Sequence, residues 1–296
     1  DWIDLIIKRP EVKGAKMMYY GPYTAIGDHV PGILYCPVDK SGNIKYQANG
    51  KVPVIIYLHQ YAHATGYARG YSKFGGIATK KLFEEMIAKG FAVLAIDMFG
   101  FGTRIAEATN FYDRFPDWSK MGKMVTDVKG CVDALEGMDF VDNKNIYVLG
   151  NTIGGSVGLM ATALDQRIAG AAVVAAFSPW RNSNQQYESL RNYSHLHGFI
   201  PRLGAYAQQP GNVPVDFGEI IASVAPKPLL IIAPDLDRHA DLKAVKNTLQ
   251  PVSAVYELHG QKDQLVVKYP HEFNRMTEEM YGEVSQFFAN CLNRKN

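Results

Sequence analysis

Along most of the chain, short apolar runs rich in β-branched residues alternate with longer amphipathic segments, and this rhythm decides the fold class. The runs are 52–58, 91–96, 145–149, 171–176, 228–233 and 254–258. Runs apolar on both faces suit strands covered by helices on both sides, so they predict a mostly parallel sheet. Helical patterns are expected between and around them, over 71–89, 118–136, 154–164, 216–224, 241–249 and 275–292. In the second of these, Met121, Met124, Val125, Val128, Cys131 and Leu135 recur close to the 3.6-residue period. The first stops at Gly90 with a lysine in its last turn, a common helix end. Segments 16–20 and 29–37 instead read as antiparallel strands ahead of the turn-forming stretch Asp39-Lys40-Ser41-Gly42-Asn43. The expectation is an α/β architecture with right-handed crossovers, the 296 residues forming one domain over 1–296. The interval 178–214 breaks the rhythm. It is polar and aromatic, carries Trp180, Tyr193, His195, His197 and Phe199, and reads as a cap over the C-terminal edge of the sheet.

Composition narrows the function classes. A hydrophobic fraction of 47% excludes disorder, and no run of 18 apolar residues is present to span a bilayer. With 31 Lys+Arg against 29 Asp+Glu, there is no electrostatic reason to expect nucleic acid or an anionic membrane as a partner. Cys36, Cys131 and Cys291 are too few and too scattered for a disulfide framework or a zinc site. No His-Glu-x-x-His is present, and Gly100-x-Gly102 lacks the third glycine of a dinucleotide fingerprint, so neither a metal nor a nucleotide cofactor is expected. The chain begins at Asp1, which a processed secreted protein and a trimmed one share; an exported or periplasmic compartment is favoured slightly over the cytoplasm.

The stretch from Asn145 to Gly155 is the most informative. A buried strand ends at Gly150, a tight turn runs through Asn151 and Thr152, and a helix opens with Gly154 and Gly155. That is the context of a nucleophile elbow, Gly-x-nucleophile-x-Gly. Its glycines let neighbouring chain pass close, and its turn lifts one side chain above the sheet at a helix N-terminus that favours an anion. Thr152 holds the nucleophile place. Gly154-Gly155-Ser156-Val157-Gly158 also fits the pattern, but Ser156 falls inside the following helix and reads as a small packing residue.

From about Gly32 to its end the chain resembles the α/β-hydrolase superfamily, and within it the dienelactone-hydrolase and acetyl-xylan-esterase-like branch. Val52-Pro53-Val54-Ile55-Ile56-Tyr57-Leu58-His59-Gln60 looks like the strand that ends in His-Gly before the oxyanion loop, with Gln60 in place of Gly. The resemblance implies oxyanion donors at the backbone of Gln60 or Tyr61 and of Ile153. The segment from Ala95 to Arg104 is similar to the family's Asp-x-x-Gly-x-Gly segment, which makes Asp97 a turn former rather than a catalytic group. Pro234-Asp235-Leu236-Asp237 follows the strand that presents the catalytic acid, placing Asp237 in that position with Asp235 as competitor. His271, after the last strand and before the final helix, is where the family's base sits. His239 lies two residues from the acid, His259 at the end of the expected strand, His195 and His197 in the cap, and His29 and His63 in early loops. The order Thr152, Asp237, His271 is that of this fold.

The chemistry needs this trio. A hydroxyl is a poor nucleophile until an imidazole takes its proton, and a carboxylate fixes the imidazole tautomer and stabilises the imidazolium. Threonine adds a β-methyl where the backbone is strained and restricts χ1, so a slow or narrowly specific enzyme is expected. Three readings stay open: a working threonine nucleophile, a site that has lost hydrolysis and now binds or scaffolds, and a threonine replacing the serine of a serine enzyme. Intact Gly150, Gly154 and Gly155, with plausible acid and base, favour the first. Tyr61, His63, Phe99, Phe101, Arg104, Trp180, Arg181 and Tyr193 suit sugar rings or aryl esters, and equally suit packing between cap and core. Phe99 and Trp180 are taken as substrate contacts. The resemblance therefore implies hydrolysis of a carboxylic ester through an acyl-enzyme, with an acylated carbohydrate as a candidate substrate. The alternative is a catalytically impaired hydrolase-fold protein with a ligand-binding or interaction role.

Overall fold

The computed structural model describes residues 9, 11–21, 23–24, 27–62, 65–68 and 75–293. Its strands are β1 Ala15–Tyr20, β2 Gly32–Pro37, β3 Val52–Leu58, β4 Ala92–Ile96, β5 Val141–Asn151, β6 Ile168–Val174, β7 Leu229–Ile232 and β8 Leu265–Lys268. They form one eight-stranded sheet in the order β1-β2-β4-β3-β5-β6-β7-β8. The β1–β2 and β2–β4 pairs are antiparallel and every other pair is parallel, as the alternating runs predict. All seven residues of β3 are buried, because helices cover both faces of the sheet. The period of two divides them: Val54, Ile56 and Leu58 face a core with Met124, Val128 and Val157, whereas Ile55 and Tyr57 face one with Phe83, Met86 and Phe288.

The α-helices longer than four residues are α1 Gly75–Ala88, α2 Lys120–Glu136, α3 Ile153–Leu164, α4 Phe217–Ala222, α5 Leu242–Leu258 and α6 Glu278–Asn293, beside several short helical turns. Three of their starts are chemically marked. Ser119 accepts the Gly122 N–H at 2.9 Å ahead of α2, Asp241 accepts the Ala244 N–H at 3.1 Å ahead of α5, and Asp216 with Glu219 forms a capping box on α4. Residues 71–74, expected to open the first helix, lie outside the described residues, as does His63.

One expected strand is helical. Residues 254–258 continue α5, and His259 is the cap of that helix rather than the end of a strand. The buried positions Val245, Leu249, Val252 and Tyr256 step by four, three and four residues, a helical stripe. Pro251 sits within the helix, and Leu258 is exposed to solvent. The eighth strand is Leu265–Lys268, paired in parallel with β7 at the sheet's edge.

The 178–214 interval holds only short turns of helix, yet it is fastened down. Leu190, Tyr193, Phe199, Leu203 and Val213 are buried in the core, the Tyr112 hydroxyl donates to the Gly198 carbonyl, and the Arg181 Nε–H donates to the Val213 carbonyl at 2.8 Å. Among the described residues no helix is long and apolar enough to cross a membrane.

Candidate active site

β5 runs into Thr152 and α3 starts at Ile153, so the expected strand–turn–helix is present. Thr152 has φ 49° and ψ −115°, which is strained for a β-branched residue. Its N–H donates to the Val174 carbonyl at 2.9 Å, pinning the turn to the end of β6. Close approach dictates the glycines. A Cβ on Gly154 would lie 2.2 Å from the Leu58 carbonyl oxygen, and one on Gly150 would lie 2.2 Å from that of Gly154. Both obstacles are backbone, so Gly154→Ala is expected to lower stability by about 3 kcal/mol or more, read as an earlier denaturant midpoint at unchanged slope.

Thr152 borders a cavity of about 700 Å³ at the C-terminal end of the parallel strands. Gln60, Tyr61, Ile153, Asp237 and His239 line it too, together with Ser178, Ser189, Asn192, Tyr193 and His197 from the 178–214 interval. The Thr152 hydroxyl is itself buried and has no hydrogen-bond partner among the described residues. Ser156 is inside α3 and fully buried. It does more than pack: its Oγ donates to the Ala176 carbonyl and lies 2.6 Å from the Tyr193 hydroxyl, tying the interval to the helix behind the elbow. Burial pushes the hydroxyls of Tyr61 and Tyr193 well above the usual tyrosine range, so both stay neutral.

The loop after β3, where oxyanion donors are expected, is held by His59. Its Nε2 accepts the Met98 N–H at 3.0 Å, so the proton sits on Nδ1, which donates to the Gln60 carbonyl at 2.6 Å. In a planar trans peptide the Tyr61 N–H points opposite to that carbonyl. Of the two expected donors on this loop, the geometry therefore favours Tyr61 over Gln60. Ile153 is the first residue of α3, and the opening N–H groups of a helix have no carbonyl within it to serve.

Asp237 is 6% exposed on the loop after β7. Its carboxylate accepts the His239 backbone N–H at 2.9 Å and the Asn274 amide at 3.0 Å. Asp235 is exposed and away from the cavity. His271 is not brought to the cavity. Its side chain is 79% exposed, and its Nδ1 lies 3.0 Å from Asp235 Oδ2 rather than on Asp237. The hydrogen bond and the charge of Asp235 raise the His271 pKa above its ordinary value of 6.5.

Two residues expected to contact substrate pack away from the cavity. Phe99 is buried against Phe111 with Arg104 and Lys123 over its ring, and Trp180 is buried against Tyr193 and Phe217; neither lines the cavity. An aromatic side chain on a loop above the sheet packs inward when apolar partners are within reach, which is what both do. Sequence reasoning missed the apolar rim instead: Leu196, 71% exposed, and Phe273, 61% exposed, both border the cavity. Asp97 is the turn former expected, accepting the N–H groups of Tyr67 and Thr103, the Thr103 hydroxyl and the Arg9 guanidinium. Desolvation pushes its carboxyl up, but Arg9 and the Thr103 bonds outweigh this and hold it below its ordinary value.

Known proteins resemble this chain in both sequence and fold. A carbohydrate esterase, MZ0003, from an unknown prokaryotic organism is 26% identical over 293 residues, covering 84% of this chain and 65% of its own length. The solved glucuronoyl esterase of carbohydrate esterase family 15 from Caldicellulosiruptor kristjansonii superposes with a TM-score of 0.72 at 21% identity, covering 97% of this chain and 81% of that one. The glucuronoyl esterase from Solibacter usitatus does so at 0.69 and 16% identity, covering 96% and 85%. These likenesses establish the α/β-hydrolase fold. Residues 43–260, which include Thr152 and Asp237 and stop short of His271, match the family described as glucuronyl esterase of fungi, and the chain belongs to that family.

Proposed function

We propose that the protein hydrolyses an ester of a carbohydrate acid, the sugar supplying the acyl group, through an acyl-threonine at Thr152. Thr152 Oγ1 attacks the ester carbonyl as an imidazole takes its proton, and the oxyanion forms between the N–H groups of Ile153 and Tyr61. The imidazolium returns that proton to the departing alcohol, and water, activated the same way, releases the acid and restores the hydroxyl. Asp237 is the carboxylate that orients the base. The observation that carries this reading is the left-handed elbow conformation of Thr152 on the wall of the cavity. Membership of a glucuronyl esterase family supports the sugar acid as acyl group, in place of the acylated sugar expected from sequence.

His271 is the proposed base. It lies on the loop that also carries Asn274, which already reaches Asp237, and its present bond to Asp235 is solvent-exposed and therefore weak. Catalytic hydrogen bonds often tighten only with substrate bound. His239 borders the cavity and is the competing base. The test is hydrolysis of methyl glucuronate and of an aryl acetate by the wild type, Thr152→Ala, His271→Ala and His239→Ala. Loss of about 10²-fold or more in His271→Ala, with His239→Ala near wild type, supports the assignment. The reverse pattern moves the base to His239, and undiminished turnover in Thr152→Ala overturns the mechanism.

A pH profile gives a second check. Asp235, and more weakly Glu272, favour the protonated imidazole, so the base is released only above the ordinary histidine value of 6.5. The rising limb of kcat/KM is expected above that value, and Asp235→Asn is expected to move it down. A limb that does not move when Asp235 is neutralised removes His271 from the profile.

A further inference from the structure

We infer that Asn151 is a positioning residue whose side chain clamps the two halves of the oxyanion hole together through Gln60, an inference that rests on the proposed acyl transfer. The two donors come from distant parts of the chain. Tyr61 follows the end of β3, whereas Ile153 opens α3 behind β5. An oxyanion is stabilised only if both N–H groups converge on one point to within a few tenths of an ångström. The Asn151 side chain spans the gap: its Nδ2 donates to Gln60 Oε1 at 2.8 Å, joining residues 91 positions apart.

Each end of the clamp is already fixed. Asn151 is buried, is the last residue of β5 and pairs with Val174 of β6. Gln60 has its carbonyl held by His59, which is locked in turn by the Met98 N–H. The side-chain bond therefore sets the separation between two rigid supports rather than tethering a loose loop. Exchanging the amide oxygen and nitrogen on both side chains keeps the bond with donor and acceptor reversed, so the link does not depend on that assignment. Asn151 also keeps its other amide atom, Oδ1, buried without a partner among the described residues, a burden that packing alone does not explain. Gln60 stands where the resembling sequences place glycine, which has no side chain to receive such a clamp.

The test is a cycle of Asn151→Ala, Gln60→Met and the double variant, with Thr152→Ala as control, read as kcat and KM on the ester that the wild type turns over. Neither single variant removes a backbone donor. A clamp predicts kcat about tenfold lower in each single variant, KM within about twofold of wild type, and a double variant no slower than the slower single one. A merely structural role would move the unfolding midpoint without separating kcat from KM. Effects that multiply in the double variant, a change confined to KM, or single variants as fast as wild type overturn the clamp while leaving the acyl-transfer reading intact. A wild type that turns over no ester, or whose turnover survives Thr152→Ala, overturns that reading and the clamp with it.

Discussion

Thr152→Ser is expected to hydrolyse esters about tenfold faster than the wild type and to be more stable by about 1 kcal/mol, whereas Thr152→Ala loses about 10³-fold or more in kcat. The two gains have different origins. A β-branched residue at φ 49° carries backbone strain in the free protein and in the transition state alike. Relieving it therefore raises stability and leaves the barrier alone. The rate gain comes from χ1. The Thr152 hydroxyl is buried with no partner among the described residues, so it must turn toward base and substrate before it can react, and the methyl restricts that turn. An off-rotamer side chain costs about 0.5–1.5 kcal/mol, and 1.36 kcal/mol is tenfold in rate. Steady-state kinetics with thermal unfolding of the same three proteins separates the effects. A faster Thr152→Ser with unchanged stability would say that the turn is not strained. A more stable variant with unchanged rate would say that the hydroxyl already turns freely. Wild type and Thr152→Ser both silent on esters that they nonetheless bind would make this a binding protein on a hydrolase fold.

The parts of this molecule legible in its sequence are those written in short windows. The elbow is one: Gly150, Thr152 and Gly154 fall in one short window, although the backbone that demands glycine at 154 is that of Leu58 and His59, on β3 and just after it. The order of strands and helices is another, because burial on both faces imposes long apolar runs such as that of β3. What failed depended on distant partners. Residues 254–258 carry valine and tyrosine and sit after a proline, so a short window favours a strand; only packing beside β7 and α4 selects the helix. Phe99 and Trp180 are aromatic residues in loops, and nothing local says that two buried cations flank one and Phe217 receives the other. His271 lies between the last strand and the last helix. Its bond to Asp235 rather than Asp237 is a choice between two carboxylates two residues apart, which spacing cannot make. The Asn151–Gln60 bond joins residues that no pattern in the sequence associates.

The largest stability effect is expected at Asp127, which does not line the cavity. Asp127, Arg104 and Lys123 are each 1% exposed or less, and Asp127 serves both cations: Oδ2 lies 2.8 Å from Arg104 Nη1, and Oδ1 accepts from Lys123 Nζ. Their other partners are less buried, Glu107 on Arg104 at 2.7 Å and Asp28 on Lys123 at 3.1 Å. Phe99 lies under both cations, at 5.8 Å from Arg104 and 5.6 Å from Lys123. Burial alone would pull the Arg104 pKa down, but Asp127 and Glu107 outweigh it and keep the guanidinium charged. Asp127→Asn leaves two buried positive charges beside one ring without the carboxylate that they share. Breaking a buried pair in this way costs about 3–5 kcal/mol. At about 2–4 °C per kcal/mol for a large domain, the unfolding midpoint should fall by roughly 10 °C. None of these three side chains borders the cavity, so the variant that remains folded at 25 °C should keep its specific activity within about twofold. The triple replacement Arg104→Met, Lys123→Met and Asp127→Leu separates the charge from the packing. It removes all three buried charges together and is expected to recover most of the lost stability, because a buried ion network and an apolar cluster of similar volume are often equivalent in free energy. If the triple variant is as unstable as Asp127→Asn, the loss comes from packing around Phe99 rather than from uncompensated charge.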